Sequence, residues 1–217
     1  RLKVMNKILQ IFKIKDLRNK ILTVAFFLLC FRIMAAIPIP GINLARLKDF
    51  LNTNQLFGFL NIFSGGALEN LSIVMLGVAP YITATIIMQL LTMIFPKFKE
   101  MYYEEGEAGR AKFNRYSRYL TVPLAALQGY GFLNILASQN ILPSLSTFAL
   151  VQSVIVITAG SMILVWLGEL ITEQKIGNGV SLLIFAGIVS SLPRTFRQIV
   201  TAYDPNNLPT YLTFLIV

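Results

Sequence analysis

The chain carries at residues 56–91 the stretch LFGFLNIFSGGALENLSIVMLGVAPYITATIIMQLL, a hydrophobic segment that is interrupted by polar residues and glycines. The first apolar piece ends at Ser64-Gly65-Gly66 and is too short to cross a bilayer. Residues 73–91 carry no charge and approach the ~20 residues of a membrane-spanning helix. Short, glycine-interrupted apolar segments occur at membrane depth only where protein covers them or where they line a cavity. The stretch therefore predicts a cavity or path inside a membrane.

The composition is typical of a membrane protein with several spans. Hydrophobic residues make up 55% of the 217 residues and charged residues 13%, whereas a soluble domain carries about 25% charged residues. Apolar windows fall at residues 21–38, 73–95, 120–137, 149–167 and 180–200. We therefore predict an all-α polytopic membrane protein with a cytoplasmic segment at 1–20, five transmembrane helices within 21–200, and an external loop with the start of a sixth span at 201–217.

An odd number of spans has a consequence for the architecture. Five crossings leave the chain on the opposite side of the membrane, so that a following five-span copy would insert upside down. Inverted repeats of this kind meet at the bilayer midplane and build translocation paths there. We therefore expect the chain to be the first half of a ten-span inverted-repeat channel and a fragment of a longer protein.

The basic residues are distributed unevenly between the loops. Seven precede the first predicted span, six lie between the second and third spans, and Lys175 lies between the fourth and fifth. The opposite side holds Arg46, Lys48, Arg194 and Arg197. Because cytoplasmic loops carry the excess of lysine and arginine, this pattern predicts a cytoplasmic N-terminus. The net charge of +9 is therefore a topology signal, and no direct nucleic-acid binding is expected.

Three features of the first two spans leave alternatives open. Residues 5–20 alternate large apolar residues with lysine, which predicts either an amphipathic helix on the cytoplasmic leaflet or a solvated tail. Arg32 lies inside the first span, where an arginine costs roughly 2.5–3.5 kcal/mol at the centre. Its side chain therefore either faces a partner helix or reaches the outer headgroups. Asn70 or Ser72 is expected to cap the second span.

Two pairs of β-branched residues have helical spacing. Val78 and Ile82 in the second span, and Val180 and Ile184 in the fifth, are each four residues apart, so each pair shares one helix face. Spacing alone favours ordinary lipid-facing positions over a role in a pore. Polar residues within the spans or at their ends are typical of contacts that hold helices together; they are Gln89, Gln128 and Asn178.

The sequence contains no recognisable catalytic or cofactor signature. It has no histidine, which excludes histidine metal ligands and histidine general bases, and it has no Walker A motif. Glu169 and Glu173 are four residues apart, but an acidic pair without a nucleophile or a metal ligand is weak evidence for catalysis. We therefore predict that the chain is not an enzyme and binds no cofactor or metal.

Four blocks of the sequence carry a resemblance to a known family. They are Phe31-Arg32 with IPIPG at 37–41, FSGGAL at 63–68, PYI at 80–82 through QLLT at 89–92, and WLGE at 166–169 through GNGVSLLIFAGI at 177–188. Together they resemble the N-terminal half of the SecY family, the central subunits of bacterial protein-conducting channels. The segment EGEAGR at 105–110 is similar to the first large cytoplasmic loop of that family. The resemblance runs from about residue 17 to the chain end.

The resemblance implies a mechanism. In the family, two inverted five-span halves surround an hourglass pore that unfolded preproteins cross, and apolar segments leave sideways into lipid. It implies that Val78, Ile82, Val180 and Ile184 contribute to an apolar pore ring, and that Gln89 is a candidate residue of the lateral gate. The plug that fills the external funnel would be about residues 56–71, with the site residues Leu56, Phe57, Gly58, Phe59, Leu60, Asn61, Ile62, Phe63, Ser64, Gly65 and Gly66.

The resemblance also implies partners and a location. The expected partners are the membrane subunits SecE and SecG, the motor ATPase SecA and the ribosome on the cytoplasmic side, preprotein substrates, and membrane lipids. The expected location is the bacterial plasma (inner) membrane, with a thylakoid membrane as the alternative. In the family, the other side of the gate and the main ribosome and motor contacts lie in later segments, so this chain alone is not expected to conduct.

Three other classes of function compete with a protein channel. A secondary transporter or ion channel also uses inverted repeats and broken helices, but it predicts charged or metal-coordinating residues at midplane depth. The second, third and fifth spans carry no acid or base near their centres. A membrane enzyme lacks a catalytic set, and a structural scaffold remains the alternative for an isolated half-channel.

Overall fold

A computed structural model of the chain describes residues 15–39, 47, 61, 64, 66–139, 141–142 and 146–201, with Ser191 and residues 194–201 described by their backbone alone. Every regular element among these residues is an α-helix. The helices are α1 (Lys15–Ala36), α2 (Ala79–Ile94), α3 (Pro96–Tyr103), α4 (Gly106–Ser138), α5 (Thr147–Glu173) and α6 (Gly179–Thr201). The predicted all-α fold is confirmed for this part of the chain. The predicted amphipathic segment up to residue 14, and the loop after residue 201, lie outside the described residues.

Three helices are long and apolar enough to cross a membrane, namely α1, α4 and α5. A fourth span results if α2 and α3, which are bent by 112° at a short break, are counted as one broken span. In α6 the apolar part, Gly179–Ser190, is shorter than a full crossing. The described residues therefore form a multi-pass membrane protein with three or four candidate spans, and the fifth span at 180–200 stays a prediction.

The second predicted span begins later than its hydrophobic pattern indicates. Residues 73–78 form successive turns, and α2 starts at Ala79 with Val78 as its N-cap residue. The prediction that Asn70 or Ser72 caps this helix was wrong, because the backbone of Ser72 is held in an antiparallel bridge with Pro38. In this bridge the Ile39 amide donates to the Leu71 carbonyl at 2.9 Å. This contact between segments distant in sequence holds residues 71–73 in a non-helical path, with Leu71 at a positive φ of 43°.

Proline marks both ends of α2. Pro80 lies in its first turn, where the missing N–H removes a donor that has no partner inside the helix. At the other end, Phe95 precedes Pro96 and has an extended conformation (φ −109°, ψ 116°). A residue before proline is disfavoured in the helical region, so α2 stops there and α3 begins with Pro96 in its first turn.

The helix α5 lies at the centre of the bundle and contacts α1, α4 and α6. Its buried side chains belong to two apolar clusters: Ile157 packs with the turns before α2 and with α4, whereas Leu164, Leu167 and Ile171 pack with α1 and α6. A third cluster joins α2, α3 and α4 around Phe113, which is 1% exposed. Helices α1, α4 and α6 therefore pack on α5, whereas α2 and α3 pack on α4.

Two glycines of α5 allow other backbone segments to approach closely. A Cβ atom added at Gly160 would collide with the carbonyl oxygen of Ile73 and would lie 2.8 Å from its carbonyl carbon. A Cβ added at Gly168 would lie 3.1 Å from Cγ2 of Val180. The turn before α2 and the start of α6 are therefore seated directly on the α5 backbone.

In the described part of the chain, two contacts between polar side chains join helices at separate points. The guanidinium of Arg32 donates from Nη1 to Ser190 Oγ at 2.8 Å, which ties α1 to α6. Of the two alternatives for Arg32, the structure favours the contact with a partner helix. Arg118 of α4 forms an ion pair with Glu169 of α5, with an Nη1–Oε2 distance of 2.9 Å.

The start of α6 is stabilised by a side-chain cap. Asn178 Oδ1 accepts a hydrogen bond from the Ser181 amide at 3.1 Å, and the Asn178 carbonyl accepts from the Leu182 amide at 3.0 Å. Replacing Asn178 by alanine removes the side-chain acceptor, which typically costs about 1 kcal/mol. We expect the Ser181 amide to exchange its hydrogen about fivefold faster, while amides in the middle of α5 are unchanged. An unchanged exchange rate at Ser181 would contradict the capping role.

Candidate functional site

An apolar cavity of about 460 Å³ lies between α2, α4, α6 and the turns that precede α2. Its lining includes Met75, Leu76, Phe132 and Ile135, and among the described lining residues the polar side chains are Ser64 and Gln128. None of these described lining residues is ionisable. Such a surface offers no charge to coordinate an ion and few hydrogen bonds to hold water.

Three of the four predicted ring residues line this cavity. Val78 does so from the N-cap position of α2, Ile82 from one turn further along α2, and Ile184 from α6. Val78 is 7% exposed, whereas Ile82 is 38% exposed and so keeps part of its side chain uncovered. The structure therefore brings together residues that are separated by more than 100 positions in the sequence.

Val180 lies beside the cavity and does not line it. It packs together with Ile184 against an apolar cluster that contains Val78, Leu164 and Leu167. Val78, Val180 and Ile184 therefore share one cluster, and Val78, Ile82 and Ile184 share one cavity. The four residues form a continuous apolar arc across the ends of α2 and α6.

A hydrogen-bonded turn contributes two residues to the lining of the cavity. The carbonyl of Asn61 accepts hydrogen bonds from the Ser64 hydroxyl at 3.0 Å and from the Gly66 amide at 2.9 Å. Asn61 Oδ1 also accepts from the Glu69 amide at 2.9 Å, and Ser64 Oγ accepts from the Leu68 amide at 3.2 Å. Ser64 and Leu68 then face the cavity. This local network makes the turn a compact unit.

Most of the predicted plug cannot be compared with the structure. Of its site residues, Asn61, Ser64 and Gly66 are described. The others lie outside the described residues; they are Leu56, Phe57, Gly58, Phe59, Leu60, Ile62, Phe63 and Gly65.

Gln89 lies on the same face of α2 as Ile82, seven residues and two helical turns away. Its side chain is exposed, and so are the neighbouring Ile86 and Leu90 on this side of the helix. The packed face of α2 carries Ala84 and Met88 instead, which are buried. One face of α2 therefore runs from the cavity to its C-terminal end without being covered by the described residues.

Gln128 is a site residue that the sequence pattern did not distinguish. The expectation that it holds helices together stays a prediction, and its half-buried side chain lies in the lining of the cavity. A polar residue in the middle of an apolar span is the one available signal, and this signal fits a helix contact equally well.

The strongest charges near the site are paired at its margin. Glu169 follows Gly168 directly, and Gly168 contacts Val180, so the Arg118–Glu169 ion pair lies close to the start of α6. The two side chains are 39% and 29% exposed, so both charges keep access to solvent. Among the described residues that line the cavity none carries a charge. The arrangement offers an apolar surface on which apolar groups can pack.

Comparison with known proteins adds relatives that share these segments. A model of the SecY family matches residues 72–217. The protein translocase subunit SecY of Corynebacterium glutamicum is 46% identical over 202 residues, which cover 87% of this chain and 46% of that relative. The subunit of Bacillus licheniformis is 45% identical over 193 residues (86% and 44%), and that of Pyropia yezoensis is 47% identical over 184 residues (84% and 44%). The chain spans about half the length of these curated relatives.

The matched region contains the elements that build the site. It begins at the bridge residue Ser72 and includes α2, α4 and α6 with all four predicted ring residues and Gln89. The family model thus covers well over half of the chain, and the relatives extend the similarity toward the N-terminus. On this evidence the chain belongs to the SecY family of protein translocase subunits.

Proposed function

We propose that this chain forms one half of a protein-conducting channel, in which the cavity is half of the pore constriction. The observation that carries the proposal is the convergence of Val78, Ile82 and Ile184 on one uncharged cavity next to the Ser64 turn. A channel subunit of the SecY family is a transporter rather than an enzyme, which agrees with the absence of a catalytic set in the sequence.

The apolar ring explains how such a channel can pass a polypeptide without leaking ions. Apolar side chains disfavour water in a narrow constriction, and they present no fixed charge to an ion. The same side chains can separate around an extended chain, because they do not bind it by hydrogen bonds. Ile82 is suited to this role, since it is partly exposed at the cavity wall. Val180 supports Ile184 from behind through the shared cluster.

The exposed face of α2 is suited to be one side of a lateral gate. Ile86 and Leu90 give this face apolar surface. Gln89 adds one polar group, which can form a hydrogen bond with water or with a facing helix and so weaken the apolar contact at the gate. Gln128 lines the cavity behind this face. The facing helices would come from a second five-span half, which completes a ten-span channel of two inverted halves. Residues 56–71 would form the plug above the constriction.

The charge pattern supports an orientation and a set of partners for the complete channel. The excess of basic residues in 1–20 and in 97–118 favours a cytoplasmic N-terminus in a bacterial plasma membrane. The complete channel would then bind SecE and SecG in the membrane and SecA or the ribosome on the cytoplasmic side. Preproteins are its substrates, and lipid receives their apolar segments.

The proposal is tested by photocrosslinking from position 82 in a channel that joins this chain to the C-terminal half of the Bacillus licheniformis relative. We expect a photoreactive residue at 82 to crosslink to a stalled secretory preprotein, because Ile82 is exposed at the cavity wall. The matched control is Ile87, which lies about 140° around α2 from Ile82 and does not line the cavity. Crosslinks are expected at 82 and not at 87.

The opposite result distinguishes the competing function. If an assembled channel gives no preprotein crosslink at position 82, the ring assignment is wrong. An ion-coupled transporter then becomes the better hypothesis, and flux of a small solute should be measured instead.

A further inference from the structure

We propose that Thr172 is a positioning residue for the pore ring, and that its hydroxyl sets where α6 starts relative to α5. The inference rests on the proposed function, because Val180 and Ile184 of α6 are ring residues only if the cavity is a pore constriction. Thr172 itself does not line the cavity. It acts through the backbone of the two helices.

The Thr172 hydroxyl uses both its donor and its acceptor to join the two helices. Thr172 Oγ1 donates to the carbonyl oxygen of Gly168 at 2.8 Å, and it accepts a hydrogen bond from the Gly179 amide at 2.9 Å. The Gly179 amide belongs to the first turn of α6, where an N–H group has no partner inside its own helix. A side chain of α5 therefore satisfies the first amide of α6.

The two backbones are in direct contact at the same point. A Cβ atom at Gly179 would collide with the Gly168 carbonyl oxygen, and it would lie 2.8 Å from the Gly168 carbonyl carbon and 2.9 Å from Ile171 Cβ. Steric contact prevents α6 from moving closer to α5. The Thr172 bridge opposes movement in the other direction, away from α5. Together the two contacts define one position for the start of α6.

The position of the start of α6 also determines where Val180 and Ile184 lie, because both residues belong to this helix. Val180 follows Gly179 directly, and its Cγ2 and amide contact the Gly168 region. Ile184 lies one helical turn later and reaches the cavity. If the start of α6 separates from α5, both side chains move away from Val78, and the arc of apolar residues opens on one side. Thr172 is exposed, so its substitution leaves the apolar core intact.

The experiment measures the resting leak of a small anionic dye from proteoliposomes that contain the channel joined to the Bacillus licheniformis half. Thr172→Val keeps the shape of the side chain and removes both hydrogen bonds, whereas Thr172→Ser keeps the hydroxyl. We expect Thr172→Val to raise the leak about fivefold. This is the factor that corresponds to the free energy of one net hydrogen bond. Thr172→Ser is expected to stay close to the parent value. The thermal midpoint of the assembled channel is expected to fall by no more than about 4 °C in Thr172→Val.

A control in the same helix separates positioning from a general effect on α5. Thr158 makes the same intrahelical bond as Thr172, with Oγ1 donating to the Val154 carbonyl at 2.7 Å, and no bond to α6 is formed by its hydroxyl in the described chain. Thr158→Val should therefore leave the leak unchanged. An equal rise in Thr158→Val and Thr172→Val would overturn the positioning role.

A further variant separates the failure of this inference from the failure of the proposed function. Ile184→Asn places a polar group in the ring itself and should raise the leak whatever Thr172 does. If Ile184→Asn leaks and Thr172→Val does not, the positioning role of Thr172 is wrong and the ring stands. If neither variant leaks, the cavity is not the constriction, and both proposals are wrong.

Discussion

Replacing Gly160 by alanine is expected to destabilise the fold by about 3 kcal/mol, at the upper end of what overpacking costs, and to displace the turn before α2. The added methyl group would collide with the Ile73 carbonyl oxygen and would lie 3.4 Å from Val74 Cγ1. Backbone atoms cannot rotate away as a flexible side chain can. The turn must therefore move as a unit and carry Val78 out of the cluster it shares with α5 and α6.

The measurement for Gly160→Ala is the denaturant or thermal unfolding of the detergent-solubilised chain, combined with hydrogen exchange of the amides at residues 73–78. A matched control is Gly131→Ala in α4, because nothing lies within 4 Å of a Cβ atom at that position. Alanine is favoured over glycine inside a helix by about 1 kcal/mol, so this variant should be at least as stable as the parent. A Gly160→Ala protein with parent stability and unchanged exchange at 73–78 would show that the close approach to Ile73 is not required.

Placing asparagine at both Ile82 and Ile184 is expected to open the resting channel to ions. Each substitution removes an apolar side chain whose transfer from water is worth about 2 kcal/mol and adds an amide that holds water. Each should raise ion leak through the constriction on the order of tenfold, since 1.4 kcal/mol corresponds to a factor of ten. The two residues line the same cavity, so their effects should reinforce each other.

The leak of the double variant is measured by halide flux into proteoliposomes that contain the complete channel. The control is Ile155→Asn in α5, which changes the same residue type at a position that is 62% exposed and lies outside the cavity lining. The control channel should remain closed to halide. If the double variant also remains closed while it assembles normally, the constriction lies elsewhere in the channel.

Much of the helical fold follows from local features of the sequence. The apolar windows at 120–137 and 149–167 lie inside α4 and α5, because the length and hydrophobicity of a span are properties of one segment. The stop at Phe95 also follows from the sequence, because Pro96 disfavours a helical conformation in the residue before it. The family resemblance, carried by short motifs, predicts the ring residues.

Sequence reasoning failed where a distant contact overrides a local pattern. Residues 73–78 are as apolar as the helix that follows them, yet they form turns. Two contacts hold them there: the bridge between Pro38 and Ser72, and the close approach of the Ile73 carbonyl to Gly160. Both contacts involve segments that are far away in the sequence. For Gln128, mid-span polarity fits a helix contact as well as a cavity wall, so the pattern alone does not predict its place in the lining. A hydrophobic pattern reports burial, and it does not report which segment covers a residue.

Composition and the spacing within single helices are enough to predict the membrane class, the helical character and the pairing of Val78 with Ile82 and of Val180 with Ile184. The fold adds that these pairs meet, that three of the four residues share one cavity, and that Thr172 joins the helices beside them. These features depend on the distance between segments that are far apart in the sequence. That distance is set by backbone contacts at glycines and by single hydrogen bonds, which leave little trace in a hydrophobic pattern.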